Sequence, residues 1–241
     1  MLLQYFLLLV TLCCFASANV EKTIFVAPQP FTIPTVDPTL DDLGLERLSP
    51  AHRVLRTRLN ATFPNDGSHG TDSWYFLENL TPGRRYEVRI CWLATQPTAF
   101  TLTTYTLQQA LEDPALFSSI SFYSQTRLAS PLTNDAVPRK SSSFHDQAPT
   151  SDSVLFLRIT AAADYYSLNK TLMDNVPPVA ADIILDPFLW NIFPQSLVPT
   201  ACFVCVVGCL AAVIGWWVLG QLGRVIDSLT SQQNEDDKKN I

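Results

Sequence analysis

No charged side chain occurs between Asp186 and Arg224, and that interval constrains the chain more than any other feature. Within it, Leu197 to Leu219 (LVPTACFVCVVGCLAAVIGWWVL) reads as one apolar helix. Its roughly 23 residues, rising about 1.5 Å each, span about 34 Å, enough to cross a hydrocarbon core about 30 Å thick. A helix packed on a soluble core carries a polar stripe, and this one has none. The interval therefore predicts a transmembrane helix over residues 197–223. The bulk of the chain then lies on one side of a membrane, and a short tail, residues 224–241, on the other.

The start of the chain predicts which side is which. Met1 to Ala18 contains an apolar run that ends in Ala16-Ser17-Ala18, small residues that fit a signal-peptidase site. Residues 1–18 are expected to be a signal peptide, with an uncleaved anchor as the alternative because no basic residue precedes the apolar run. Cleavage gives a single-pass type I protein, N-terminus luminal and C-terminus cytosolic, in agreement with Arg224 directly after the helix.

Six cysteines suggest a disulfide framework until they are placed. Cys13 and Cys14 fall in the signal peptide, and Cys202, Cys205 and Cys209 fall in the membrane helix. Only Cys91 remains between them, so no intrachain luminal disulfide is expected and residues 19–196 are held by their core alone. Cys202-x-x-Cys205 has redox or metal spacing, but at bilayer depth it reads as small packing residues. The net charge of −6 comes without a basic stripe, which argues against nucleic acid. Sequons at Asn60, Asn79 and Asn169 are candidate N-glycosylation sites of a luminal domain.

That domain reads as β-rich. Thr23 to Val26 and His52 to Leu59 favour strands, and Pro64 to Asp72 is turn-forming throughout. After Pro82-Gly83, residues Tyr86, Val88, Ile90 and Trp92 fall on one face, while Arg85, Glu87 and Arg89 fall on the other. That period of two describes a half-buried antiparallel strand. The pattern Leu80-x-Pro82-Gly83-x-x-Tyr86 resembles the corner between the fifth and sixth strands of fibronectin type III domains. There Tyr86 would bond back to the backbone near the turn and Leu80 would plug the core. The plain alternative is an unrelated strand after a Pro-Gly turn.

Thr98 to Leu107 and Leu116 to Leu128, rich in threonine and aromatics, are also expected to be strands. The first is expected to pair with the Tyr86 strand as a hairpin. Residues from about 127 to 153 are rich in proline and serine and predict a flexible loop. Val154 to Ile159 and Ala180 to Leu185 complete seven or eight strands. The expected fold is thus mainly β: a fibronectin type III/immunoglobulin-like β-sandwich followed by a single C-terminal transmembrane α-helix. Phe188, Trp190 and Phe193, just before the span, suit the headgroup level, with ordinary core as the alternative.

No catalytic constellation emerges. His52, His69 and His145 are far apart and lack metal-ligand spacing, and neither a Gly-x-Ser-x-Gly nor a glycine-rich phosphate loop occurs. Asp41-Asp42 reads as a charged surface turn. No catalytic, cofactor-binding or metal residue is therefore predicted, and no cofactor.

The tail ends Lys238-Lys239-Asn240-Ile241. Lysines three and four places from a cytosolic C-terminus match the dilysine retrieval signal that the COPI coat reads, although such pairs also arise by chance. On the helix, Ala201, Cys205, Gly208, Ala212 and Gly215 recur at spacings of four and three, a small-residue stripe suited to helix packing, or simply the common composition of a membrane helix.

Three blocks of sequence carry a family likeness. Arg85 to Thr98 (RYEVRICWLATQPT), Phe156 to Tyr165 (FLRITAAADY) and Asp182 to Pro194 (DIILDPFLWNIFP) resemble the fungal GPI-mannosyltransferase II co-activator family. The resemblance implies a non-catalytic accessory subunit in the endoplasmic-reticulum membrane. Its partner would be the polytopic catalytic subunit that adds the second mannose to the glycosylphosphatidylinositol (GPI) precursor, with membrane lipid around the span. It implies no catalytic residue. The alternative is a cargo receptor or chaperone cycling between endoplasmic reticulum and Golgi, which would use the same luminal sandwich and dilysine tail.

Overall fold

The strand β6 (Arg85–Trp92) frames the domain in a computed structural model that describes residues 19–32, 40–65, 68–129 and 151–239. Tyr86, Val88 and Ile90 point into the interior and are fully buried. β1 (Val20–Val26) and β10 (Val179–Leu189) pair antiparallel on either side of β6, and β4 (Val54–Leu59) pairs antiparallel with β10. The first sheet therefore runs β1-β6-β10-β4, with β11 (Phe193–Pro194) turned back onto the end of β10. Pro187 sits where β10 has run past the end of β4, a free edge on which its missing N–H costs no ladder bond.

The second sheet runs β3-β5-β9-β7, from β3 (Glu46–Leu48), β5 (Thr71–Leu77), β9 (Leu155–Ala163) and β7 (Thr98–Thr106). β3 lies parallel to β5; the other pairs are antiparallel. A small extra pair joins β2 (Phe31–Thr32) to β8 (Ser151–Asp152). The two main sheets meet through one apolar cluster, in which Tyr86, Val88, Ile90, Ile183 and Leu185 of the first face Tyr75, Leu77, Leu157 and Ile159 of the second.

The outer face of the second sheet is covered as well. α1 (Leu107–Glu112) and α2 (Pro114–Ala129) pack Leu107, Ala110 and Ile120 against Trp74, Phe76 and Phe156. The Trp74 indole N–H donates to Ser119 Oγ at 3.0 Å, and Ser124 Oγ donates to the Leu43 carbonyl at 2.7 Å. A sheet buried on both faces needs apolar residues at consecutive positions rather than at alternate ones. Trp74-Tyr75-Phe76-Leu77 and Leu155-Phe156-Leu157 are such runs, all buried.

The structure corrects several expectations. Leu116 to Leu128 is not a strand but most of α2. Two start signals explain why. Thr106 and Gln109 form a reciprocal capping box before α1, and Asp113 Oδ1 accepts the Ala115 N–H at 2.9 Å beside Pro114, the first residue of α2. β7 does not form a hairpin with β6, because it belongs to the other sheet. The connection at 93–97 crosses the sandwich, and Trp92 meets Phe100 edge to face at 4.8 Å across the core. The loop expected over 127–153 is corrected at both ends, where residues 127–129 belong to α2 and Ser151–Asp152 form β8. The expected signal peptide and residues 130–150 lie outside the described residues.

Gln195 onward forms a separate unit. A single 3-10 turn, Gln195–Leu197, leads into α4 (Val198–Lys239), one helix that includes the charge-free residues from Val198 onward and most of the tail.

Candidate functional site

The corner before β6 is built by its own sequence. Thr81 to Arg84 is closed by the Arg84 N–H donating to the Thr81 carbonyl at 3.1 Å, with proline second and glycine third. Gly83 has φ of 72°, a conformation a type II turn needs and glycine adopts without strain. The Thr81 N–H donates to the Tyr86 hydroxyl at 3.0 Å, and Leu80 is buried below it. Phe25 stacks on the Tyr86 ring at 5.9 Å, while Ala27 exchanges backbone bonds with Gly83 and Arg84.

A second turn leans on this corner, and sequence reasoning missed it. Asn191, between β10 and β11, accepts the Arg85 N–H through Oδ1 at 2.8 Å and donates through Nδ2 to the Gly83 carbonyl at 3.1 Å. Arg84 Nε donates to the Phe188 carbonyl at 3.1 Å. Of the three aromatic residues read as interfacial, Phe188 is core, Phe193 is half-buried in β11, and Trp190 is exposed. The sequence signal was faint: an asparagine at a turn is ordinary, and nothing local marks its reach to Gly83.

The outer face of the first sheet carries a charged ladder. Glu87 and Asp186 are register partners, and both are buried although they point away from the core. Lys22 Nζ approaches Glu87 at 3.3 Å, and Arg89 Nη1 lies 3.6 Å from Glu87 and 3.8 Å from Asp186. Arg56 grips Asp182 with two bonds, at 2.8 and 3.0 Å, and holds that carboxyl below the usual carboxylate range. These pairs are structural in their geometry: each carboxylate faces a cation of a neighbouring strand. At the opposite end of β10 from the Asn191 turn, a cleft of about 310 Å³ is lined by Pro97, Tyr165, Leu172, Val176 and Val179. Among the described residues no group of three His, Cys, Asp or Glu side chains is placed to hold a metal.

The other residues predicted to act are spread over the molecule rather than gathered. Asn60, Asn79 and Asn169 are all exposed. Asn169 caps α3 (Lys170–Asp174) by accepting the Thr171 N–H at Oδ1, which leaves its amide nitrogen, the atom a glycan joins, outside that bond. Asn79 has φ of 55°, and its own N–H donates to Asp152 at 3.0 Å. Gln195 to Arg224 is long and apolar enough to cross a membrane. Ala201, Cys205, Gly208, Ala212 and Gly215 are exposed on it, and among the described residues a Cβ added to Gly208 or Gly215 would meet no atom within 4 Å beyond the adjacent turns of its own helix. Packing within the chain therefore gives these two glycines no task. Lys238 and Lys239 end α4.

The family model of the GPI-mannosyltransferase II co-activator matches residues 9–186. The chain belongs to this family. The match runs through β1 to β9 and most of β10 and stops before α4, so membership is carried by the sandwich and not by generic apolar character of the helix. No curated protein and no solved structure matches. The role of a GPI-mannosyltransferase II co-activator ties this chain to a mannosyltransferase of GPI synthesis and thus to the endoplasmic-reticulum membrane.

Proposed function

We propose that this co-activator is a non-catalytic, single-pass subunit of the transferase that adds the second mannose to the GPI precursor. The observation that carries the reading is the family match across most of the sandwich, from β1 into β10. In this reading α4 crosses the bilayer, the sandwich is luminal and the C-terminus is cytosolic. The polytopic catalytic subunit packs against Ala201, Cys205, Gly208, Ala212 and Gly215, where small residues let two helix backbones approach closely. Their open surroundings within the chain support that role. Lys238 and Lys239 return the protein from the Golgi through the COPI coat, and Asn60, Asn79 and Asn169 carry glycans.

Two measurements test this. Replacing Gly208, Ala212 and Gly215 together with leucine is expected to abolish co-purification of the catalytic subunit from mild detergent, as read by mass spectrometry. Full recovery of the partner would remove the helix from the interface. Endoglycosidase treatment of the full chain is expected to increase its gel mobility, and unchanged mobility would contradict glycosylation at Asn60, Asn79 and Asn169.

A further inference from the structure

Leu189 to Ile192 form a mirror-image hairpin turn, closed by the Ile192 N–H donating to the Leu189 carbonyl at 3.0 Å. Both central residues have positive φ, Trp190 at 50° and Asn191 at 59°. Asparagine tolerates that region; a bulky aromatic residue there is a strained outlier. Strain of this kind persists where the surroundings enforce it, and it clusters where a side chain is used. The enforcement is the pair of hydrogen bonds in which Asn191 donates to the Gly83 carbonyl and accepts the Arg85 N–H. What it presents is apolar: Trp190 is 80% exposed and Ile192 is 70% exposed. An ordinary turn of this class would place Asn and Gly there and expose no large apolar side chain.

The covalent chain says what this surface meets. The apolar span begins at Gln195. At about 3.5 Å per residue, Ile192 can lie no more than about 10 Å from that point, and Trp190 no more than about 17 Å. Both side chains are thus confined to the neighbourhood of the headgroup layer if α4 crosses the bilayer. Indole is the side chain best suited to that layer, apolar in its ring and polar at its N–H. Arg85, whose N–H is held by Asn191, is exposed, with its guanidinium 5.8 Å from the Phe188 ring centre. Guanidinium groups bind phosphate oxygens in a fork.

We infer that the Leu189–Ile192 turn, together with Arg85, is a lipid anchor that seats Trp190 and Ile192 in the phospholipid headgroup layer and holds the corner end of the sandwich there. The inference rests on α4 crossing the membrane and on nothing about the transferase, and the occupant is a phospholipid surface. The test uses the full chain in vesicles of phosphatidylcholine and phosphatidylserine whose acyl chains carry bromine near the headgroup. Subtracting the emission of Trp190→Gly from that of the wild type isolates Trp190. The isolated emission is expected to be blue-shifted, and to lose most of its intensity in brominated relative to plain vesicles. Ile192→Asp is expected to restore much of that intensity. Red-shifted, unquenched Trp190 emission alongside quenched Trp216 and Trp217 would overturn the anchor while leaving the span intact. Loss of quenching at all three would instead refute the span. Protection of Trp190 that appears only when the transferase is added would also overturn the inference, by assigning the turn to a protein partner.

Discussion

Trp190 shows how much a single residue can be worth in opposite directions. Its backbone sits in the left-handed region at φ 50°, which costs a bulky side chain about 1 kcal/mol or more relative to glycine. Its side chain is too exposed to recover that cost within the fold. Trp190→Gly is therefore expected to raise the unfolding free energy of the detergent-solubilised chain by about 1 kcal/mol. Chemical denaturation monitored by far-ultraviolet circular dichroism checks this, and a loss of stability would show that the indole packs within the protein. Tyr86 is the opposite case, since its ring fills the core and its hydroxyl serves the Thr81 N–H, so fold alone accounts for it.

At the level of elements, β1, β4, β6, β7, β9 and β10 were legible in the residues as strands, while β5 and the helices over the second sheet were not. β6 alternates because one of its faces is buried in the core and the other carries Glu87 and Arg89. Trp74 to Leu77 of β5 and Leu155 to Leu157 of β9 carry no such alternation, because helices cover their far side. The helices were themselves hidden by composition. Phe117, Ile120, Phe122 and Tyr123 favour a pleated surface by propensity, and only the Thr106–Gln109 box and Asp113-Pro114 mark helix starts. Tertiary cover overrode propensity there. The partition of β6 and β7 between sheets was also invisible, since a short connection suits a hairpin as well as a crossing. The sites were less legible than the fold: sequons and lysines stand out by motif, while the Asn191 clip exists only through contacts between distant turns.

The same sandwich predicts a pH response. Tyr75 is buried in β5, and burial pushes its hydroxyl well above the ordinary value of 10.0, with Tyr123 raised from the same cause. Above pH 10 the unfolded chain releases the Tyr75 proton while the native state keeps it, so the unfolded state binds fewer protons and stability falls as pH rises. Below pH 10 the contribution is present in full. The denaturation midpoint is expected to drop as pH rises above about 10, and Tyr75→Phe is expected to flatten that drop. An unchanged slope in the variant would place the titration elsewhere.

Taken as a whole molecule, the chain is a sandwich with one outer face covered by helices, joined to a single long helix that is apolar enough to span a bilayer. Its family role belongs to the sandwich, and its proposed means of contact belong to the helix. The most direct measurement of the central claim is a profile of GPI precursors after depletion of this protein. Accumulation of the precursor bearing one mannose is the predicted result, because the transferase that adds the second mannose would lose its co-activator. A normal precursor profile with delayed secretion of particular cargo would contradict the account and favour a sorting receptor.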